Sequence, residues 1–228
     1  SAFPSGALGH YLAYGCREGR SLTPARPAVQ AALPVPITPG ERRVMIVDAT
    51  YPTPDRDSGS VDAINFIRIF QRLDYRVYFC ATANFETAAL SDVAQQARLG
   101  LEALDVRVLD DRHGPSIAEI VRLNGGYFRL FFLSRVYCGG ELYEHVRAHS
   151  PQSRIVFNTV DLHSLRELRE ASLNNERAGM LHAYRIGERE YYLSRMSDAA
   201  IVVSDEEARL LAERAPGGNV FTVPLIRD

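Results

Sequence analysis

The chain has 228 residues, a formal net charge of −2 and 46% apolar residues, so it can bury one sizeable core and is expected to be soluble. No apolar run approaches the roughly 20 residues that a membrane-spanning helix needs, and no basic stripe indicates a nucleic-acid partner. All 26 basic residues are arginine, which excludes chemistries that need a lysine, such as Schiff-base formation. Cys16, Cys80 and Cys138 lack metal or disulfide spacing, which favours reduced thiols in a cytoplasmic protein.

Residues 1–41 differ in composition from the rest of the chain. Five prolines between positions 24 and 39 interrupt a segment without sustained periodicity, so residues 23–40 are predicted to form an extended linker. Ahead of the linker, residues 11–20 are predicted to form a helical turn that Gly15 ends. We interpret residues 1–41 as a short N-terminal extension and residues 42–228 as one domain.

From Arg42 onward, short apolar runs alternate with amphipathic segments. The predicted strands are 43–49, 76–80, 105–109, 127–133, 154–160, 199–203 and 220–223. The predicted helices are 60–73, 93–103, 116–123, 140–148, 164–171, 176–196 and 205–214. This alternation implies right-handed crossovers and an α/β fold with a Rossmann-like, doubly wound parallel sheet.

The loop after the first predicted strand is the first candidate binding site. Prolines in this loop disfavour helix and sheet, and Gly59 would let a ligand approach the main chain closely. A phosphate or diphosphate is predicted at the start of the following helix, with the loop aspartates accepting sugar hydroxyls and the arginine supplying a cation. The candidate residues are Asp55, Arg56, Asp57, Ser58, Gly59 and Ser60. The alternative interpretation is an ordinary surface loop rich in turn-forming residues.

The segment after the fifth predicted strand is the second candidate site. Asp161 and His163 follow that strand, and side chains at the carboxyl ends of parallel strands face a crevice. An imidazole there would donate to a sugar hydroxyl or a phosphate oxygen. Arg166 is assigned to substrate binding and is predicted to pair with Glu170 at helical spacing. The alternative is a capped helix with a surface salt bridge.

A third candidate is the glycine pair Gly139 and Gly140, which also lies between a predicted strand and a helix. Its main chain would line the same crevice, and a plain tight turn is the alternative. The other histidines lack metal-ligand spacing, so no metal site is predicted. The dinucleotide fingerprint G-x-G-x-x-G is absent, which disfavours an oxidoreductase or epimerase that uses a dinucleotide. No G-x-S-x-G motif indicates a serine hydrolase.

Four segments carry a resemblance to a known family: VMIVDATYPTPDRDSGS, FNTVDLHSLRELRE, SRMSDAAIVVSDEEARLL and GGNVFTVPLIRD. In this order and spacing they resemble the amino-terminal half of a GT-B glycosyltransferase, particularly of the retaining GT4 family that builds bacterial surface polysaccharides and glycolipids. The resemblance covers residues 42–228. The segment YLAYGCREGR near the start of the chain is similar to a short motif found beside bacterial glycosyltransferase modules.

The resemblance implies two Rossmann-like domains that face each other across a cleft, the first mainly binding acceptor and the second mainly binding the nucleotide-sugar donor. The chain stops at Asp228, where the second domain would begin. Gly59 matches the loop glycine beside the donor diphosphate, although Ser58 stands where the family often has another glycine. His163 matches the strand-end histidine that contacts the donor sugar, and His163 and Asp161 are the expected catalytic residues. The family's Arg/Lys pair and glutamate-rich donor motif belong to the second domain.

We therefore expect an acceptor-side glycosyltransferase domain that folds alone but does not catalyse alone. The implied partners are a nucleotide diphosphate sugar, which is a substrate and not a cofactor, and a saccharide or lipid-linked acceptor. The expected location is the cytoplasm, including peripheral association with the inner face of the membrane, and the oligomeric state stays open. The alternative function is a non-catalytic Rossmann-like module that binds a ligand or a partner.

Overall fold

The computed structural model describes residues 39–224, which form an α/β fold around one sheet. The seven strands are ordered β3-β2-β1-β4-β5-β6-β7, and each neighbouring pair is parallel. The strands are β1 (Arg42–Asp48), β2 (Tyr75–Ala81), β3 (Arg107–Leu109), β4 (Leu130–Ser134), β5 (Arg154–Asn158), β6 (Ala199–Val202) and β7 (Val220–Thr222). The predicted Rossmann-like, doubly wound sheet is confirmed.

Seven α-helices lie between these strands in the described part of the chain, each close to a predicted helix. They are α1 (Ser58–Arg72), α2 (Asp92–Ala103), α3 (Ile117–Asn124), α4 (Tyr143–His149), α5 (His163–Leu173), α6 (Arg177–Met196) and α7 (Asp205–Arg214). Short 3-10 turns occupy Thr87–Ala89, Gly125–Tyr127 and Gly139–Leu142.

The core consists of two apolar layers, one on each face of the sheet. On one face, Ile46 of β1 packs with Phe66 and Ile67 of α1. On the other face, Met45 packs in the layer that contains Ile120 of α3. Successive residues of β1 therefore contact opposite layers, which explains why the predicted first strand is apolar at consecutive positions.

Several predicted boundaries are wrong by a few residues, and four of them have a clear local cause. Helix α1 begins at Ser58 because Asp57 caps it through its side chain. Strand β4 begins at Leu130 because Gly125–Tyr127 forms a 3-10 turn. Strand β5 ends at Asn158, since Val160 adopts a left-handed φ of 65°. Helix α4 is preceded by the Gly139–Leu142 turn, which the prediction assigned to the helix.

The strand order reverses between β1 and β4, which are neighbours in the middle of the sheet. The chain runs from β1 to β2 and β3 on one side, and from β4 to β7 on the other. Connections that leave β1 and β4 in opposite directions open a crevice at their carboxyl ends, where ligands bind in open α/β sheets. The fold therefore places the candidate site beside Asp48 and Ser134, the last residues of these two strands.

The predicted extension and linker lie outside the described residues, apart from positions 39–41. The turn predicted for 11–20, Cys16 and the last four residues lie outside them as well. Among residues 39–224, no helix combines the length and apolar character needed to cross a membrane.

Candidate functional site

A buried ion pair marks the centre of the crevice. Asp48 ends β1 and Arg135 follows β4 directly, and Arg135 Nε donates to Asp48 Oδ1 at 2.8 Å. Burial raises the pKa of Asp48, an effect that the neighbouring Arg135 guanidinium opposes. Because desolvation disfavours an isolated buried carboxylate, Arg135 supplies the charge that Asp48 needs to stay ionised.

The main chain of Arg135 is held in an unusual conformation. Its φ is 63°, in the left-handed region that residues other than glycine rarely occupy. Its N–H donates to the Asn158 carbonyl at 2.8 Å, and its own carbonyl accepts from Gly140 N at 3.0 Å. The ends of two strands and the following turn thus fix the direction in which the guanidinium leaves the sheet, and such local strain is often found at functional sites.

The Arg135 guanidinium lies against the first turn of α1. A Cβ added at Gly59 would stand 3.0 Å from Arg135 Nη2, 3.3 Å from Asp57 Oδ1 and 3.4 Å from Val160 Cγ1. Neither Nη1 nor Nη2 of Arg135 has a hydrogen-bond partner among residues 39–224. The N–H groups of Ser58 and Gly59 likewise have none within this range. The crevice therefore gathers a cation and free helix N–H groups at one point, a combination that suits an anion.

The structure divides the predicted phosphate cradle into two parts. Ser58 and Gly59 present their N–H groups at the start of α1, whereas Ser60 is buried. Ser60 N donates to Asp57 Oδ1 at 2.8 Å, Ser60 Oγ donates to Asp57 Oδ2 at 2.7 Å, and Ser60 Oγ accepts from Thr53 N at 2.9 Å. Asp57 and Ser60 thus stabilise the loop and the helix end.

Asp55 and Arg56 lie at the exposed tip of the first loop. They line a groove of about 630 Å³ between α1 and α2, whose apolar residues include Ile64, Ala97 and Leu101. Neither loop side chain has an ion-pair partner among the described residues. These two predicted binding residues therefore sit beside a side groove that opens along the helices.

The end of β5 forms the second wall of the crevice. His163 is 5% exposed, and its Nδ1 lies 3.1 Å from the main-chain oxygen of Asp161 and 3.4 Å from Asp161 Oδ1. The ring packs edge to face against Tyr137, with centroids 5.3 Å apart. Burial lowers the pKa of His163, and Asp161 opposes the shift. The imidazole is therefore neutral at neutral pH and offers a hydrogen bond and not a charge.

The predicted pair between Arg166 and Glu170 is wrong. Arg166 reaches back to Asp161, where Nη1 contacts Oδ2 in an ion pair. Asp161 precedes α5, so an arginine in the first turn of this helix reaches its carboxylate more directly than a residue one turn further on. The arrangement places a second arginine next to the crevice and leaves Asp161 partly exposed.

Gly139 and Gly140 are required by close packing. A Cβ at Gly139 would lie 2.5 Å from Ser134 N, and a Cβ at Gly140 would lie 2.7 Å from Leu193 Cδ1. Both glycines are buried, so the tight-turn interpretation accounts for their presence. Their contribution to the crevice is indirect: Gly140 N donates a hydrogen bond to the carbonyl of Arg135 and so helps to fix the Arg135 main chain.

Sequence reasoning missed Arg135, Asp48 and Glu190. For Arg135 a signal existed, since it is the first charged residue after the buried run Leu130–Ser134 and thus satisfies the strand-end rule that selected Asp161. For Glu190 the helical pattern offers no signal, because a glutamate among polar residues of α6 is expected on the surface. It is instead fully buried beside His163.

Within residues 39–224, no three metal-binding side chains come together. No protein-family model matches the chain, and no curated protein matches it either. What the site can do therefore follows from its own geometry: a guanidinium and free amide groups at the switch point of a parallel sheet, beside a neutral histidine at the next strand end.

Proposed function

We propose that this domain is the acceptor-side half of a retaining, GT4-like glycosyltransferase that moves a sugar from a nucleotide diphosphate sugar to a saccharide or lipid-linked acceptor. The observation that carries the proposal is the Arg135 guanidinium against the first turn of α1, with Nη2 3.0 Å from the position of a Gly59 Cβ. Any larger side chain at position 59 would displace this cation from the helix end.

A diphosphate fits this arrangement because its charge meets both the guanidinium and the N-terminus of α1. Arginine binds phosphate oxygens with two parallel hydrogen bonds, and Arg135 keeps both terminal nitrogens for this purpose. Its Nε bond to Asp48 fixes the plane of the guanidinium. Asp48 therefore orients the cation while it lowers the net charge of the site.

Sugar recognition is assigned to the second wall. Asp161 accepts hydrogen bonds from hydroxyl groups, and the neutral His163 exchanges one hydrogen bond with a hydroxyl or a phosphate oxygen. Arg166, paired with Asp161, lies within reach of the same ligand. In this proposal the domain contributes orientation and electrostatic stabilisation, and no side chain of the domain acts as a nucleophile.

The experiment compares two arginines at opposite ends of β4. Transfer from nucleotide diphosphate sugars to saccharide and lipid-linked acceptors is measured for the full open reading frame that encodes this chain. Arg135→Ala should reduce transfer by about 100-fold or more, as expected for the loss of a charge-assisted contact to a phosphate. Arg129→Ala is the matched control, because Arg129 is exposed just before β4, at the opposite end of that strand.

Transfer that survives Arg135→Ala at the parental rate would contradict the proposal. Nucleotide-sugar binding without transfer by the full reading frame would favour the ligand-binding module instead. Residues 1–228 alone should fold but not transfer sugar, because the resemblance places the closed cleft between this domain and a second, donor-binding domain. Sugar transfer by this chain alone would refute the half-enzyme assignment.

A further inference from the structure

The first turn of α5 is capped by buried glutamates from two other helices. Its own N-cap residue, Leu162, provides no side-chain acceptor. Glu207 of α7 accepts from Leu162 N at 3.1 Å and from Val203 N at 3.0 Å. Glu190 of α6 accepts from His163 N at 2.8 Å. The wall that carries His163 is thus held by carboxylates that lie far away in the sequence.

Glu190 makes the more extensive set of contacts. Its Oε2 accepts from Ser164 N at 3.3 Å and from Ser164 Oγ at 2.5 Å, in addition to the bond from His163 N to Oε1. The residue is fully buried, and burial raises its pKa to about 7. Buried ionisable groups with perturbed pKa values cluster at functional sites.

Three oxygen atoms surround one nitrogen of the His163 ring. Nδ1 lies 3.1 Å from Asp161 O, 3.4 Å from Asp161 Oδ1 and 3.8 Å from Glu190 Oε1. Among them Asp161 O is the hydrogen-bond partner of Nδ1, and a carbonyl can only accept, so the ring proton belongs on Nδ1 and the lone pair on Nε2. Nε2 has no hydrogen-bond partner among residues 39–224. The other charged groups that act on the imidazole are Arg166 and Arg135.

We propose that Glu190 is a positioning residue for His163: its carboxylate fixes the main chain of His163, which holds the ring where Nδ1 donates to Asp161 O, so that Nε2 presents an acceptor to the ligand. What Nε2 then contacts rests on the proposed function. The coupling between Glu190 and His163 does not, since it is a property of the chain alone. Glu207 has no contact with the imidazole among the described residues and serves as the structural comparison.

The test is a histidine titration by NMR on the chain of residues 1–228 with ¹⁵N-labelled histidine. Among the signals of the six histidines, those of His163 are identified as the set that disappears in His163→Gln. Long-range ¹H–¹⁵N spectra at pH 8.5 should show Nδ1 protonated and Nε2 unprotonated. Between pH 5 and 9 the His163 signals should show a step near pH 7, where Glu190 titrates, besides the protonation of the ring itself.

Two glutamine variants separate positioning from capping. Glu190→Gln should abolish the step near pH 7, whereas Glu207→Gln removes a buried carboxylate from the neighbouring cap and should leave the step in place. Ser164→Ala is a gentler change that removes the hydroxyl bond to Glu190 Oε2. Because that bond stabilises the charged carboxylate, its loss should move the step to higher pH.

Several results would overturn the inference. These are a His163 proton on Nε2, a titration without the step in the parent chain, or a step that persists in Glu190→Gln. If the step is lost equally in both glutamine variants, it depends on the intact helix cap and not on Glu190 in particular, so Glu190 would act only as a cap. If Glu190→Gln does not fold, the Ser164→Ala shift decides, and an unchanged step refutes the coupling. None of these titrations uses a nucleotide sugar, so a negative result for the coupling of Glu190 and His163 is distinct from a negative result for the proposed sugar transfer.

Discussion

The two walls of the crevice are held in place very differently. In the first wall, the loop before α1, the side chains from Pro54 to Asp57 are exposed. The anchors are the Asp57 cap, the bond from Thr53 N to Ser60 Oγ at 2.9 Å and the bond from Tyr51 N to Asn84 Oδ1 at 3.0 Å. In the second wall, buried carboxylates bind three successive amides, 162–164. The first wall can adapt to a ligand, whereas the second is preorganised before a ligand arrives.

This difference suggests a division of roles. A preorganised wall suits groups whose position must be accurate, such as the imidazole of His163, and an adaptable loop suits a ligand that varies in size. Arg135 belongs to the rigid part, because strand ends fix its main chain and Asp48 fixes its side chain.

Truncation of the buried cap should have the largest effect. At pH 6, Glu190→Ala should lower the free energy of unfolding by about 3 kcal/mol, because it leaves buried donors of His163 and Ser164 unpaired and opens a cavity. Denaturant unfolding followed by circular dichroism measures the change. A loss below about 1 kcal/mol would show that the second wall does not depend on this carboxylate.

The pH dependence of stability should report the same group. The pKa of Glu190 is about 7 in the folded chain, above its ordinary value of 4.5, so the folded state binds the proton more tightly. Its stabilising contribution is therefore fully present below about pH 4.5 and is lost as the pH rises through about 7. Relative to Glu190→Gln, the parent should lose roughly 2 kcal/mol between pH 5 and pH 8.5. Parallel pH profiles of the two proteins would contradict this sign.

The cap of the first wall should contribute less. Asp57→Ala removes the acceptor for Ser60 N and Ser60 Oγ at the start of α1, and loss of an N-cap costs about 1 kcal/mol. Asp57→Asn is the matched control, since it keeps an acceptor oxygen and should recover most of the loss. An effect of Asp57→Ala as large as that of Glu190→Ala would remove the contrast between the two walls.

The sequence predicted the order and type of the strands and helices because those depend on local patterns. Val44 to Val47 are consecutive apolar residues, and Ser204 precedes three carboxylates at the start of α7, so each element is visible within a few positions. The same rules placed His163 at a strand end. Strand β5 was extended too far because Val160 is apolar, whereas its φ of 65° ends the strand.

The contacts that hold the site were not predictable in this way. Glu190 binds His163 from 27 positions away in the sequence, and nothing in the α6 pattern indicates that this glutamate faces inward. The predicted ion-pair partner of Arg166 was wrong for a related reason. Helical spacing favoured Glu170, whereas the turn before α5 places Asp161 closer. Pairing across a turn or between helices depends on the folded geometry, which local periodicity does not contain.

Gly59→Val should have the smallest effect on stability and a large effect on function. A Cβ at this position would stand 3.0 Å from Arg135 Nη2 and 3.3 Å from Asp57 Oδ1, so these groups must shift by a few tenths of an ångström. Because Nη2 has no hydrogen bond to lose within residues 39–224 and valine is no worse than glycine in a helix, unfolding should change by less than about 1 kcal/mol. The added methyl groups would nevertheless push the guanidinium away from the α1 N–H groups. Transfer by the full reading frame should therefore fall steeply while the unfolding midpoint stays constant.

Gly126→Val is the control for that variant. Gly126 lies in the exposed turn before β4, at the opposite edge of the sheet from the crevice, and an added Cβ there meets nothing within 4 Å. It therefore tests glycine replacement without touching the crevice or the groove between α1 and α2. Transfer by Gly126→Val should match the parent. If Gly59→Val also keeps the parental rate with its fold intact, the ligand does not bind at Arg135 and the N-terminus of α1. The first wall would then have to bind it through its exposed loop side chains.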